Sequence, residues 1–305
     1  MFTLIKNALF SITGTLGMVA ASACIASAAP SYRPLPSVVN PESDLVLPED
    51  VSMIYNVRQY GAAGDGVTVD TQAIQAAIDA CTGTGGTVLL DNGTFLSGMI
   101  TLKSDMTFYI NEGAVLLART ENPADYDNPD YDPIYPPLKL PTTNCTWINN
   151  KVELKEACPR AFLFALGASN LKVTGKGTID GNGTYFPWTW LGGDPDELAR
   201  PVLFHPVQCP NLTLSYVHFK DGAMWTVVPM ECDNLTIHHI DVNSNIVENR
   251  DGIDIVDCHD VLIEDCTIYT DDDCIRSVTH LATCPIMAST FTMLTTSHSA
   301  IVTHR

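Results

Sequence analysis

The sequence predicts an all-β protein wound as a right-handed parallel β-helix and entered through one short capping helix. Three observations predict it. From residue 169 onward a short pattern recurs with a period in the low to middle twenties. Each copy is made of short alternating strands and lacks a helix-favouring half. A single amphipathic helical segment stands out, and it precedes the repeat.

The repeat is legible in four segments: "SNLKVTGKGTIDG", "PNLTLSYVHFKDG", "DNLTIHHIDVNSN" and "HDVLIEDCTIYTD". Each has Asn or Asp at its second place, with apolar residues one, three, six and eight positions later. These are Leu212, Leu214, Val217 and Phe219 in the second copy, and Leu235, Ile237, Ile240 and Val242 in the third. In the fourth they are Val261, Ile263, Cys266 and Ile268, whereas the first copy drifts out of register at Lys176. Copies starting at Asn211, Asn234 and Asp260 lie 23 and 26 residues apart. That unit fits one β-helix coil; a leucine-rich repeat needs a helical half and a propeller blade a longer unit.

The elements follow in chain order. Residues 1–28 read as a secretion signal, with Lys6 as a basic start, an apolar stretch from Ala8 to Ile25 and a small-residue cleavage site at Ala26-Ser27-Ala28. Thr13, Gly14 and Gly17 break the apolar stretch, which argues against a transmembrane span. Residues 29–52, rich in Pro and Ser, form an extended lead-in. The β-helix domain occupies 53–275. Within it, Ile74, Ala77, Ile78 and Cys81 are at helical spacing behind an Asp70 or Thr71 cap, which predicts a helix over 70–81. Short strands follow at Thr87 to Leu90, Met106 to Ile110 and Ala114 to Leu117, then a long loop over 122–141 with Tyr126, Tyr131, Tyr135 and six prolines.

Beyond Ile275 the pattern fails. Residues 276–305 contain no Asp, Glu, Asn, Gln, Gly, Lys, Tyr or Trp, and eleven of the thirty are Ser or Thr. No glycine follows Gly252. This stretch reads as an aberrant tail, produced by a reading frame lost or spliced wrongly near residue 276. A chain ending that way is expected to be weak or inactive.

The formal charge of −19 excludes nucleic acid and anionic membrane surfaces as partners. Cys24 belongs to the leader, and the other nine cysteines are an odd number, so export implies disulfides with one thiol left over. No CxxC pair has metal-site spacing, and no metal or cofactor is expected. Sequons start at Asn92, Asn144, Asn182, Asn211 and Asn234.

Chemistry points to "NRDGIDIVDCHDVLIEDCTIYTDDDCI", residues 249–275, where nine carboxylates lie between Asp251 and Asp273. Asp251 precedes Asp272 by 21 residues and Asp273 by 22, close to one coil. Stacked coils are ~4.8 Å apart, so these three acids should meet on one face. Carboxyls that close cannot all ionise freely, which separates a proton donor from an acceptor, as glycosidic hydrolysis requires. Gly252 would leave room for a ligand beside Asp251. Asp254, Asp257, Asp260, Glu264 and Asp265 have no such stacking and read as turn formers or wet surface. On spacing alone, "DDDC" is an acidic turn, a calcium site or a catalytic set.

The chain resembles the polygalacturonase family of glycoside hydrolases over roughly residues 50–275. "YNVRQYGAAGDGVTVDTQAIQAAIDAC" is similar to that family's opening block and "GKGTIDGNG" to its early coil motif. "NRDGIDI" resembles its N-x-D segment and "DDDCI" its G-D-D-C segment. The resemblance implies a pectin-lyase-like solenoid, a secreted monomer and a pectic polysaccharide substrate cleaved with inversion. Asp272 would be the general acid, Asp251 and Asp273 would activate water, and Asn249 would position the group. Arg250 and Asp271 differ from the residues expected there. The family's G-H-G histidine and R-x-K pair are absent, and His280, His298 and His304 read as incidental. "YFPWTW", with Trp188 and Trp190, is a candidate sugar-contacting segment. A pectate lyase and a catalytically silent polysaccharide-binding or structural β-helix are the competing readings.

Overall fold

The computed structural model describes residues 38–120, 134–136, 138, 140, 160–186, 200–245 and 250–278, with the backbone of strands at 286–288 and 291–295. The leader, most of the 122–141 loop, Asn249, Trp188 and Trp190 lie outside these residues.

The architecture is a parallel β-helix. One eight-stranded sheet runs from Ile54–Asn56 through Met106–Ile110, Leu212–Ser215 and His259–Glu264 to Ile286–Ala288. A second eight-stranded sheet runs from Asp65–Val69 through Ala114–Ala118 and His218–Lys220 to Phe291–Thr295. The third face joins Ile100–Leu102, Arg160–Leu166 and Pro201–Val207 to Ile253–Val256 and Ile275–Val278 through bridges at Val227 and Met230. Sequential strands fall in different sheets, so each coil contributes one rung to every face. Stacking continues beyond residue 275, because a parallel ladder is made by backbone N–H and C=O groups.

Alternation decides what lies inside. Val88, Phe108, Val173, Leu214, Ile237 and Ile263 form one continuous inward row, each at most 1% exposed. Phe95, Leu116, Ile179, Phe219, Val242 and Ile268 form the facing row. Each such side chain stabilises the fold by roughly 1.5–3 kcal/mol relative to exposure. The drift at Lys176 has a simple origin: the turn between Leu171 and Ile179 is one residue longer than that between Leu212 and Phe219.

The Asn or Asp at the second place of the repeat marks a turn. Asp105, Asn170, Asn211, Asn234 and Asp260 have φ of 56°, 53°, 59°, 54° and 52°. Asn and Asp tolerate that left-handed region better than other side chains. An amide both donates and accepts, so the stacked residues chain together. Asn234 donates to Asn211 at 2.8 Å, Asn211 to Asn170 at 3.0 Å, and Asn170 to Asp105 at 2.7 Å.

Other expectations are corrected. Asp70 holds the N-cap position of the helix Thr71–Cys81, its carbonyl accepting Ile74 N–H at 2.9 Å, but its side chain makes no cap bond: the carboxylate accepts Ala63 N–H at 2.7 Å and Gly64 N–H at 2.9 Å. The six described cysteines, Cys81, Cys209, Cys232, Cys258, Cys266 and Cys274, are buried thiols outside any disulfide and serve as small core side chains. The lead-in carries 3-10 turns at Pro41–Leu45 and Val51–Met53 and lies across the outside of the first sheet. Asp44 pairs with Lys172 and with His238 Nε2, the latter at 2.8 Å, and Val38 N–H donates to Glu264 at 2.6 Å. This strap covers an outward polar row of Thr174, Ser215, His238 and Glu264, all at most 4% exposed. Glu264 is therefore not wet surface.

Candidate active site

The site is built where the chain turns from the second sheet into the third. Gly252 N–H donates to Asp273 O at 2.9 Å and Ile253 N–H to Cys274 O at 3.0 Å. Asp251 O accepts from Thr226 N–H at 2.9 Å. The Asp251-Gly252 step is thus held between Trp225-Thr226 on one coil and Asp273-Cys274 on the next. Gly252 is needed for packing rather than for ligand access: a Cβ there would lie 2.4 Å from the Cys274 carbonyl oxygen and 2.7 Å from Ile268 Cγ2.

Asp251, Asp272 and Asp273 come together on these adjacent coils, and their charges act on one another. Asp251 is 4% exposed, while Asp272 and Asp273 are half-buried. Asp272 Oδ1 accepts the N–H of Asp273 at 3.0 Å, and its carbonyl accepts the Thr270 hydroxyl at 3.0 Å. These bonds fix the turn that carries both acids.

Asp254, expected to be a turn former or surface residue, belongs to this group. Ile253 and Ile255 point into the core, so alternation turns Asp254 outward on the face that carries Asp251. Asp254 is 0% exposed and within hydrogen-bonding reach of Asp251. Burial first, and then the charges of Asp254 and Asp272, push the Asp251 carboxyl well above its ordinary range. Burial also raises Asp254, opposed by the Arg276 charge. Neither Asp254 oxygen has a hydrogen-bond partner among the described residues. The signal was present in the "IDIV" alternation. What the sequence lacked was the turn at Gly252, which puts Asp251 and Asp254 on one face although their spacing in a continuous strand would oppose them.

Cations surround the acids unevenly. Arg276, in register with Asp254, holds Nη1 3.9 Å from Asp251 Oδ2 and is 39% exposed at its side chain. Arg250 is fully buried, close enough to Asp221 and Asp271 for their charges to support its own. Burial pushes the Asp271 carboxyl up to about 6, opposed by the backbone N–H and the charge of Arg250. The two residues that depart from the family's motif thus act on one another as opposite charges across neighbouring coils. His205, two coils before Asp254 in the same row, is buried, with its pKa lowered to about 4 by burial. Among the described residues no cluster of three or more His, Cys, Asp or Glu has a geometry that could hold a metal ion.

Residues 142–292 match the family model of glycosyl hydrolases family 28. The chain carries a domain of glycosyl hydrolases family 28. Residues 54–115 also match a rhamnogalacturonase A/epimerase, pectate lyase-like model. An exo-poly-alpha-D-galacturonosidase of Dickeya chrysanthemi is 38% identical over 57% of this chain and 25% of its own length. A probable polygalacturonase of Vitis vinifera is 28% identical over 71% of this chain and 42% of its own. The chain therefore spans less than half the length of these curated relatives. Among solved structures, the family 28 exopolygalacturonase of Yersinia enterocolitica superposes with a TM-score of 0.58 at 26% identity, covering 74% of this chain and 44% of that one. A putative glycosyl hydrolase from Parabacteroides merdae gives a TM-score of 0.59 at 25% identity, covering 79% and 95%. The relatives are glycoside hydrolases, and no helix among the described residues is long and apolar enough to cross a membrane.

Proposed function

We propose that this protein is a secreted, monomeric hydrolase of α-1,4-linked galacturonan or a related pectic chain, acting by acid/base catalysis with inversion. The observation that supports it most is the convergence of Asp251, Asp254, Asp272 and Asp273 on one face of two adjacent coils.

Asp272, on the more open side of the group, donates its proton to the glycosidic oxygen as the bond to C1 breaks. A water molecule attacks C1 from the opposite face and gives its proton to Asp273 or to the Asp251–Asp254 pair. The pair is suited to receive it, since burial makes both carboxyls hold protons tightly and their mutual repulsion falls once one is neutral. Asn249 positions the group from the same motif. The reaction needs no metal or cofactor, because proton transfer at two carboxyls accounts for bond cleavage.

Polygalacturonate treated with the purified protein should gain reducing ends without ultraviolet absorbance. The first product observed by proton resonance should have an inverted anomeric centre. Unsaturated, absorbing products would replace this reading by a lyase, and retained configuration would remove the inverting role of water.

A further inference from the structure

The site is negative, and so is the substrate class proposed for it. Asp251, Asp254, Asp271, Asp272 and Asp273 gather there, while Arg200 and Arg250 are buried, leaving Arg276 as the accessible guanidinium beside them among the described residues. Attraction between charges is then a poor source of affinity, and a neutral contact surface is needed next to the acids.

Trp225 offers one. Leu203 N–H donates to Trp225 O at 3.1 Å, Thr226 N–H to Asp251 O at 2.9 Å, and Gly252 N–H to Asp273 O at 2.9 Å. These bonds place Trp225, Asp251 and Asp273 at equivalent positions on three successive coils, each step ~4.8 Å. The indole packs on an apolar cluster outside the main core that includes Val202, Met224 and Val228, and it is only partly buried. One part of the ring is thereby anchored, and the residue stands, partly exposed, in the row that carries Asp251 and Asp273.

We propose that Trp225 is the sugar platform for the uronate unit next to the scissile linkage, one coil before Asp251. The electron-rich face of an indole attracts the polarised C–H groups of a pyranose and carries no charge to repel the carboxylate. Its packed base fixes the ring before the ligand arrives, which limits the entropy lost on binding. The platform selects the sugar face, and Asp251 and Asp273 lie on the coils that follow.

This rests on the hydrolase reading, so the test separates the two. Trigalacturonate binding is measured by calorimetry on the Asp272→Asn protein, in which turnover is suppressed. Adding Trp225→Leu should weaken binding on the order of tenfold or more, adding Trp225→Phe should restore most of it, and melting temperatures should stay close. Of the four tryptophans, Trp225 should account for the emission change on binding, which Trp225→Phe removes. Equal binding by the parent and the Trp225→Leu protein overturns the platform alone. A parent that binds no galacturonide overturns the proposed function and the platform with it.

Discussion

Asp254 is completely buried within hydrogen-bonding reach of Asp251, and burial strengthens the hold of both carboxyls on a proton. The folded protein therefore keeps these protons to higher pH than the unfolded chain does. The stability cost is absent below the ordinary carboxyl range, about pH 4, and grows as pH rises through the raised values. Asp254→Asn should melt higher than the parent in mildly alkaline buffer, by about 2–4 °C or more, and together with it near pH 4. Calorimetric melting across that range checks this. An offset independent of pH would mean that the pair does not share charge.

Asp272→Asn should lower kcat by roughly 10²- to 10⁴-fold, the range of a lost general acid. Oligogalacturonide binding should survive, since the turn of Asp272 and Asp273 is held through the Asp272 carbonyl, which accepts the Thr270 hydroxyl, as well as through its side chain. Turnover and calorimetric binding measured on the same preparation decide the matter. Unchanged turnover would remove Asp272 from the acid role.

The amide ladder predicts a graded cost at Asn211, which donates to Asn170 and accepts from Asn234 while holding φ at 59°. Asn211→Ala loses both bonds and adds left-handed strain, about 1–3 kcal/mol together for this exposed side chain. Asn211→Gly loses the bonds without the strain and should be less destabilising. Urea titration distinguishes the two, and equal losses would show that the left-handed turn contributes nothing.

The lead-in strap gives the opposite pH dependence. Burial raises the Asp44 pKa, but His238 and Lys172 outweigh it and hold the group at about 2. Its contribution is present above the ordinary carboxyl range and is lost as pH falls through about 2. Asp44→Asn should melt lower than the parent at neutral pH, with the difference shrinking between about pH 4 and about pH 2. A difference that does not shrink would place the effect in packing rather than in charge.

The two ends of this chain's logic were unequally readable. The amino-acid order determined the coil period and the inward rows such as Leu212, Leu235 and Val261, because each follows from local alternation. It also determined that Asp251 lies about one coil from Asp272 and Asp273. Only the tertiary structure decided what covers the outward rows and how side chains leave a turn. Asp44 reaches His238 across 194 residues, the Gly252 turn sets Asp254 beside Asp251, and Trp225 joins their face from the preceding coil. Alternation separates inside from outside, but contacts on the outside come from segments distant in sequence, and their directions are fixed only when the coils have stacked.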